Sequence, residues 1–398
     1  MEAKSIDDTF KILLSQNLSL NSEILPLLSA LNRILAQDIY AKRNLPPFDN
    51  SAMDGYAFNL SDAGKCVEIV DTIFAGDNKE LEIRLGQCVK IMTGARIPAG
   101  ADCVVPFEEI SGGFDNVGEI LAPSDLREFA NIKINGEEVK KGELLFKKGS
   151  VLNAESLALL SSQGISSVRV FMPLKIAVFA SGNELKEPWE VAKEGEIYNS
   201  NATMVQAILQ EAHFKSIYGG ILRDNLDSIK ESLSGNFDVI ITTGGASKGE
   251  ADFMRKALSK LGAEILIPSV LIKPGKPIMV AKLQDKFIIA LPGNPLAGGV
   301  TLRALILPFL KKLSGFAFKD SSVNYFSVKI THSFKRKPRP EMILGNLSEN
   351  GVTLINNGKY GSAQIKPLVC ANVLVLLNEE SEIEEGDLVK IMPFVWRG

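Results

Sequence analysis

Between residues 174 and 313 the chain alternates continuous apolar runs with amphipathic stretches. "LKIAVFA", "KSIYGGIL", "FDVIITT", "EILIPSVLI", "PIMVAKL" and "KFIIAL" read as strands, and several are apolar through their centres on both faces. "ATMVQAILQEA", "NLDSIKESL", "ADFMRKALSKLG" and residues 296–313 carry helical spacing, with Asn201 as the expected cap of the first. A strand without a polar face must be covered on both faces, and intervening helices supply that cover. The expected core is therefore a mostly parallel α/β sheet with helices on both sides.

The flanking segments have other rhythms. Residues 5–42 predict two helices: Ile6, Phe10, Leu13 and Leu14 mark the first, with Ser5 and Asp8 as a capping box, and Leu25, Leu28, Leu31 and Leu35 mark the second. From about 60 to 135 short β-rich runs such as "CVEIVDTIF", "CVKIMTG" and "DCVVPFEEI" alternate with Gly and Asp turns. Residues 154–163 return to helix, with Asn153 as N-cap and Gly164 just past the end. The last eighty or so residues are β-rich with no helical period. The partition is 1–45 with 136–172 (helical and linker), 46–135 (small β domain), 173–316 (α/β domain) and 317–398 (C-terminal β unit).

Composition excludes several classes. Lys plus Arg is 44 against 47 for Asp plus Glu, a net charge of −3, which gives no footprint for nucleic acid or an anionic membrane. The basic run "FKRKPRP" reads as a solvated strand end. Cys66, Cys88, Cys103 and Cys370 form no CxxC pair, so neither a thiolate metal site nor a disulfide framework is expected. With the acidic start "MEAKSIDDTF" this predicts a cytoplasmic protein. The longest apolar runs, such as "ALILPFL", are too short to span a bilayer. With only His213 and His332, histidine metal sites and triads are not expected.

The unusual residues follow the strands. "SGNEL", "RDN", "TTGGASKGEAD", "KPGKP" and "LPGNP" each come directly after an expected strand. In open α/β sheets ligands bind outside the carboxyl ends of the strands, so these motifs share one predicted edge. Gly244, Gly245 and Gly249 leave backbone N–H groups open to an anion, ahead of a helix. Lys273 and Lys276 sit on a Pro/Gly-stiffened loop and can meet phosphate-like oxygens. Glu184, Asp224 and Asp252 offer hard oxygen ligands suited to Mg²⁺. Each motif alone is compatible with a turn or cap; together they describe a metal-assisted site for a polyanion. No Walker A loop, GxGxxG or GxSxG is present.

One stretch outside this region has the same flavour. "PPFDNSAMDGYAF", residues 46–58, places Asp49, Asn50, Ser51 and Asp54 among aromatic residues. The ordered set of this stretch, "MTGARIPAGAD", "SGNEL", "TTGGASKGEAD", "KPGKP" and "LPGNP" resembles the signature motifs of the molybdopterin molybdenumtransferases, the MoeA and gephyrin E-domain family.

The resemblance implies an elongated subunit with a molybdopterin-binding α/β domain at 173–316 and a β-barrel at 317–398. It implies a homodimer whose active site combines one subunit's "SAMDGYA" with the other's α/β domain. The implied reaction takes adenylylated molybdopterin and molybdate, inserts molybdenum and releases AMP, assisted by Mg²⁺. The implied catalytic residues are Asp54, Glu184, Asp224 and Asp252, the last three also metal ligands. The implied substrate and oxyanion positions are Thr93, Gly244, Gly245, Ser247, Gly249, Lys273, Lys276, Pro292, Pro295, Ser362 and Arg339. Met53, Tyr56 and Phe58 are expected to pack rather than bind. Asn183, Asn199 and Ala297 depart from the family pattern, where an Asp, an Asp and a Ser are usual. Two other readings stay open: a molybdopterin adenylyltransferase, and a non-enzymatic molybdopterin-binding scaffold. Molybdopterin adenylyltransferase and molybdoenzyme-maturation proteins are the expected partners.

Overall fold

The computed structural model describes residues 2–77, 79–223, 226–244, 250–317, 325–335, 340–378 and 382–394, with the backbone alone at 226, 228 and 250–253. Its centre is a six-stranded sheet of β1 (Ile176–Ser181), β2 (Ser216–Leu222), β3 (Val239–Thr243), β4 (Glu264–Ile267), β5 (Met279–Leu283) and β6 (Lys286–Leu291). The strand order is β2-β1-β3-β6-β5-β4. The β1–β2, β1–β3 and β3–β6 ladders are parallel, and the two ladders of β5 are antiparallel, so the sheet is mixed. "EILIPSVLI" is a strand only through Ile267; Pro268, with no N–H for a ladder, follows it.

Alternate side chains of each strand enter two separate cores. Val178, Ala180, Ile241 and Ile289 face Val205, Leu209, Leu305 and Phe309, from the helices Asn201–Glu211 and Leu307–Leu313 and the turn between Thr301 and Leu307. Ala177, Phe179, Ile240 and Ile288 face Ile229, Leu233, Met254 and Leu258, from Leu226–Ser234 and Glu250–Lys260. Both faces are covered, as fully apolar strands require. The helical run expected over 296–313 carries a π-helical turn at Leu302–Ile306. Pro308 accounts for it: proline has no N–H to give the helix and its ring crowds the carbonyl four residues back.

The first helix, Ile6–Ser15, forms as expected. The Ser5 hydroxyl accepts from the Asp8 N–H at 3.0 Å and donates to its carboxylate at 2.8 Å. Its buried stripe of Ile6, Phe10 and Leu13 joins the α/β core, packed with Val270 and Leu313. The second expected helix is absent. Ser22–Pro26 is a strand paired antiparallel with Ser167–Phe171, followed by a 3₁₀ turn at Leu27–Ala30. Leu28 is 83% exposed, so the leucine spacing makes no buried stripe; Pro26 holds an extended backbone that a helix cannot use. The N-terminal part is therefore mixed rather than helical. Its helix Ala154–Ser162 follows expectation: Asn153 accepts from the Ser156 N–H, and Gly164 turns left-handed at φ +69°.

The five-stranded sheet of the β-rich segment has the order Cys103–Pro106, Gly55–Phe58, Gln87–Ile91, Cys66–Ile73, Glu119–Leu121. Tyr56 and Phe58 are wholly buried in its core, as packing residues should be, while Met53 is exposed. The C-terminal sheet is antiparallel, in the order Phe326–Lys329, Leu388–Pro393, Val373–Leu377, Glu341–Ser348, Gly351–Leu354. A bridge from Ile330 to Val352 links its two ends, and a short helix, Lys366–Val369, interrupts its β character. Among the described residues no helix is long and apolar enough to cross a membrane.

Candidate active site

The strand order reverses between β2 and β3, on either side of β1, and this is where an open α/β sheet leaves a crevice. The chain is tightest there. Gly244, at φ +97°, would drive a Cβ into the Ser181 carbonyl oxygen, and Gly293 stacks against Gly244. Only glycine lets the ends of β1, β3 and β6 approach this closely. Above them lies a cleft of about 1260 Å³, walled on its other side by the C-terminal domain.

Of the residues singled out in the sequence, Glu184, Gly244, Lys273, Lys276, Pro292, Pro295 and Ser362 all line this cleft. Gly275 lets the lysine loop pack, since a Cβ there would overlap the Thr301 methyl. Lys276 is exposed and makes no ion pair among the described residues. Lys273 is already engaged: its Nζ lies 3.2 Å from Glu341 Oε1, on the long strand of the C-terminal sheet. The backbone repeats the link, with Lys273 N donating to Pro340 O at 3.2 Å and Met342 N donating to Lys273 O at 2.9 Å. Both lysines line the cleft, but Lys273 shares its charge with Glu341 while Lys276 has no ion pair among the described residues.

Ser362 is held by the "LPGNP" loop. Asn294 Nδ2 donates to Ser362 Oγ at 2.8 Å, and Leu296 N donates to Ser362 O at 3.1 Å. The hydroxyl therefore keeps its own proton to donate. It stands on the same cleft wall as Ala297, the position where a family serine is missing.

Asn201 does not cap its helix. The N-cap position is Ser200, and the Asn199 side chain accepts from the Ala202 N–H at 3.2 Å. Asn201 instead donates from Nδ2 to Gly293 O at 2.6 Å, which ties the helix to the "LPGNP" loop and leaves its buried Oδ1 without a partner among the described residues. The Thr243 hydroxyl, at the end of β3 in the same cleft, is also buried and has no partner among the described residues. Asn199 has a structural role. Its Nδ2 donates to the Tyr218 phenol at 2.8 Å, and that phenol donates to Glu187 Oε1 at 2.5 Å. An Asp at 199 and Glu187 would compete for one phenol proton, so the departure at Asn199 matches its surroundings.

Asp54 and Thr93 do not line the cleft. They meet each other in the small β domain, where Asp54 Oδ1 accepts from Thr93 N at 2.6 Å and Thr93 Oγ1 at 2.7 Å. The Thr93 backbone N–H, and then its hydroxyl, hold the exposed Asp54 carboxyl below its ordinary value. Asp49 has a different use, accepting the Asn135 N–H at 2.6 Å as a loop staple. Asp224, Gly245, Ser247, Gly249 and Arg339 lie outside the described residues, as does the side chain of Asp252 on Glu250–Lys260. Among the described residues no three His, Cys, Asp or Glu side chains come together to hold a metal ion.

The sequence reading missed the wall residues Ser5, Glu341 and Tyr360. Burial pushes the Tyr360 phenol up to about 12, and the Glu341 charge adds to the shift, while the Leu344 N–H donated to its oxygen opposes it. Locally Ser5 reads only as a helix cap, and no local pattern marks Glu341 or Tyr360; they reach the cleft through long-range packing.

Three family profiles match in chain order. The MoeA N-terminal region (domain I and II) matches residues 4–164, a probable molybdopterin binding domain 177–312, and the MoeA C-terminal region (domain IV) 327–394. The chain belongs to the MoeA family. A molybdopterin molybdenumtransferase of Haemophilus influenzae is 34% identical over 385 residues, 94% of each chain. One from Staphylococcus epidermidis is 30% identical over 387 residues, covering 94% of this chain and 91% of that one. Two crystal structures of the MoeA molybdopterin biosynthesis protein of Pyrococcus horikoshii superpose over nearly the whole chain. One has a TM-score of 0.83 at 25% identity, covering 98% of this chain and 100% of that one. The other has a TM-score of 0.79 at 27% identity, covering 99% of each. Membership of the MoeA family thus extends across the N-terminal, α/β and C-terminal segments alike.

Proposed function

We propose that the chain is a molybdopterin molybdenumtransferase, which inserts molybdenum from molybdate into adenylylated molybdopterin and releases AMP. The observation that carries this reading is one cleft lined by Glu184, Gly244, Lys273, Lys276, Pro292, Pro295 and Ser362. Lysines and a hydroxyl proton suit an oxyanion substrate. The glycine-crowded strand ends suit a ligand that comes close to the backbone. The Thr243 hydroxyl and Asn201 Oδ1, without partners among the described residues, offer hydrogen bonds on the same floor.

In this reading molybdate sits against Lys276 and the Ser362 hydroxyl, with Pro292 and Pro295 fixing the loop. The pterin end lies over the strand ends at Gly244. The phosphoanhydride faces Glu184, with Gly245, Ser247 and Gly249 donating N–H groups and Arg339 adding charge. Glu184 has the hard-oxygen chemistry for Mg²⁺, and Asp224 and Asp252 complete the proposed ligand set. When bound, Mg²⁺ would neutralise charge on the phosphoanhydride oxygens.

The proposal extends to a homodimer in the cytoplasm, with a closed barrel at the C-terminus and with molybdopterin adenylyltransferase and molybdoenzyme-maturation proteins as partners. Asp54 supports the dimer: an exposed, pre-oriented carboxylate outside its own chain's cleft has a use if it reaches a neighbour's. The test is AMP release from adenylylated molybdopterin with molybdate, with and without EDTA. An insertase releases AMP and yields active cofactor. Consumption of ATP with unadenylylated molybdopterin would indicate the adenylyltransferase, and neither reaction a scaffold.

A further inference from the structure

The Lys273–Glu341 pair joins two domains across the cleft wall. Glu341 is 7% exposed, whereas the Lys273 side chain is 57% exposed. A buried carboxylate needs a counter-charge more than a solvated ammonium does. The pairing is also built into the backbone, since residues 340–342 bridge to Lys273 on both sides. The acid stands out from its strand neighbours. Its neighbour Met342 is apolar and buried, and strand residues of the C-terminal sheet otherwise fill their core with Ile, Leu and Val.

An oxyanion that enters the cleft toward the lysine loop meets this arrangement as well as the free cation of Lys276. It must share Lys273 with a fixed carboxylate of like charge to its own. Lys276, three residues on, has no such competitor among the described residues. The two lysines of one loop are thus unequal: one is committed to the neighbouring domain and one is available.

We propose that Glu341 sets the oxyanion affinity of the cleft by acting as an internal competitor for Lys273. This rests on the assignment of the lysine loop to an oxyanion substrate. Glu341 stands in for the anion while the cleft is empty and holds the loop to the C-terminal sheet. It keeps Lys273 from binding any passing dianion tightly. Only a ligand that also engages Lys276 and the Ser362 hydroxyl gains enough to draw Lys273 from its carboxylate.

The experiment measures equilibrium binding of molybdate alone, and of sulfate, to the full-length protein without pterin. Glu341→Gln keeps the shape and removes the competing charge. It should bind molybdate about tenfold more tightly, equivalent to about 1.4 kcal/mol, and should bring sulfate binding up with it. In a Lys273→Ala background Glu341→Gln should give no gain, because there is no longer a lysine to release. If Glu341→Gln fails to fold, Glu341→Asp, which withdraws the charge by one methylene, should show the same direction. Unchanged or weaker binding in the relieved variant overturns the proposal. So does a gain that persists without Lys273, and so does absence of binding in both proteins. AMP release by the wild-type protein is measured separately, so failure of the competitor idea is distinguishable from failure of the insertase reading.

Discussion

Asp54 Oδ1 receives two hydrogen bonds from a single residue, the backbone N–H and the hydroxyl of Thr93. Both favour the charged form, so the carboxyl titrates below its ordinary value of 3.8. For a depressed carboxyl, the linked stability is present above the ordinary value and is lost as pH falls through the lowered folded value. Asp54 therefore stays ionised throughout the neutral range, and no acid limb of the rate profile above about pH 4 should belong to it. Asp54→Asn should lower AMP release by about a hundredfold or more, with less effect on pterin binding, while leaving the acid limb in place. A variant with wild-type turnover would return Asp54 to the role of a turn residue.

If Asp54 acts on a partner's cleft, inactive variants should complement one another. Asp54→Asn and Glu184→Gln dimers, mixed and allowed to exchange subunits, should regain about a quarter of wild-type activity, because a symmetric mixed dimer carries one intact composite site. Sedimentation should show a dimer at micromolar concentration. A monomer with full activity would sink the composite site.

The two lysines should behave differently on truncation. Lys276→Ala should raise the half-saturating molybdate concentration about tenfold with the melting temperature unchanged, since one charge-assisted bond is lost. Lys273→Ala should also lower stability by about 1 kcal/mol, because it removes a cross-domain ion pair to a largely buried carboxylate. Unfolding curves in urea for the two variants give the comparison directly.

The four cysteines divide by burial. Burial pushes the Cys88 thiol up to about 12, with Asp62 adding, and the Cys103 thiol to about 11, with Asp102 adding. Cys66 and Cys370 are exposed. A thiol-specific reagent at mildly alkaline pH should modify only the exposed pair in the native protein and all four after unfolding. Rapid native labelling of Cys88 or Cys103 would show that the core of the small β sheet opens.

Arg303 should matter for the union of the domains. It is half-buried on the π-helical turn, donates to Phe394 O at 3.1 Å and Glu211 Oε2 at 3.0 Å, and stacks on the Phe394 ring. Arg303→Ala should cost about 2 kcal/mol of stability, measured by denaturant titration of the whole chain.

Much of this organisation was legible in the sequence because it is local. Apolar strands, their alternation with helices and the Gly/Pro motifs behind them place Lys273, Lys276, Pro292 and Gly244 on one edge without long-range information. What was not legible depends on distant partners. The Leu25–Leu35 spacing imitates a helix, yet pairing with Ser167–Phe171 decides its conformation. Asn201 looks like a cap until Gly293 arrives from ninety residues away. Glu341 carries no motif, and its pairing with Lys273 comes from a loop some seventy residues earlier in the chain. Ser362 gave the weaker signal, a lone "YGSA", and reaches the cleft through Asn294.

The placement of Ile6–Ser15 has a consequence for how the chain is made. Phe10 and Leu13 rest on a surface that includes Leu313, three hundred residues later. The helix is short, and helices of that length are marginal without a tertiary surface. During synthesis it must wait, unburied, while the intervening small β domain is completed, and it can dock only after the final turn of Leu307–Leu313 has emerged. The α/β unit is therefore stitched shut by a segment made before it. A fragment expressed from residue 173 onward would leave that seam open, with an apolar stripe of its core turned to water.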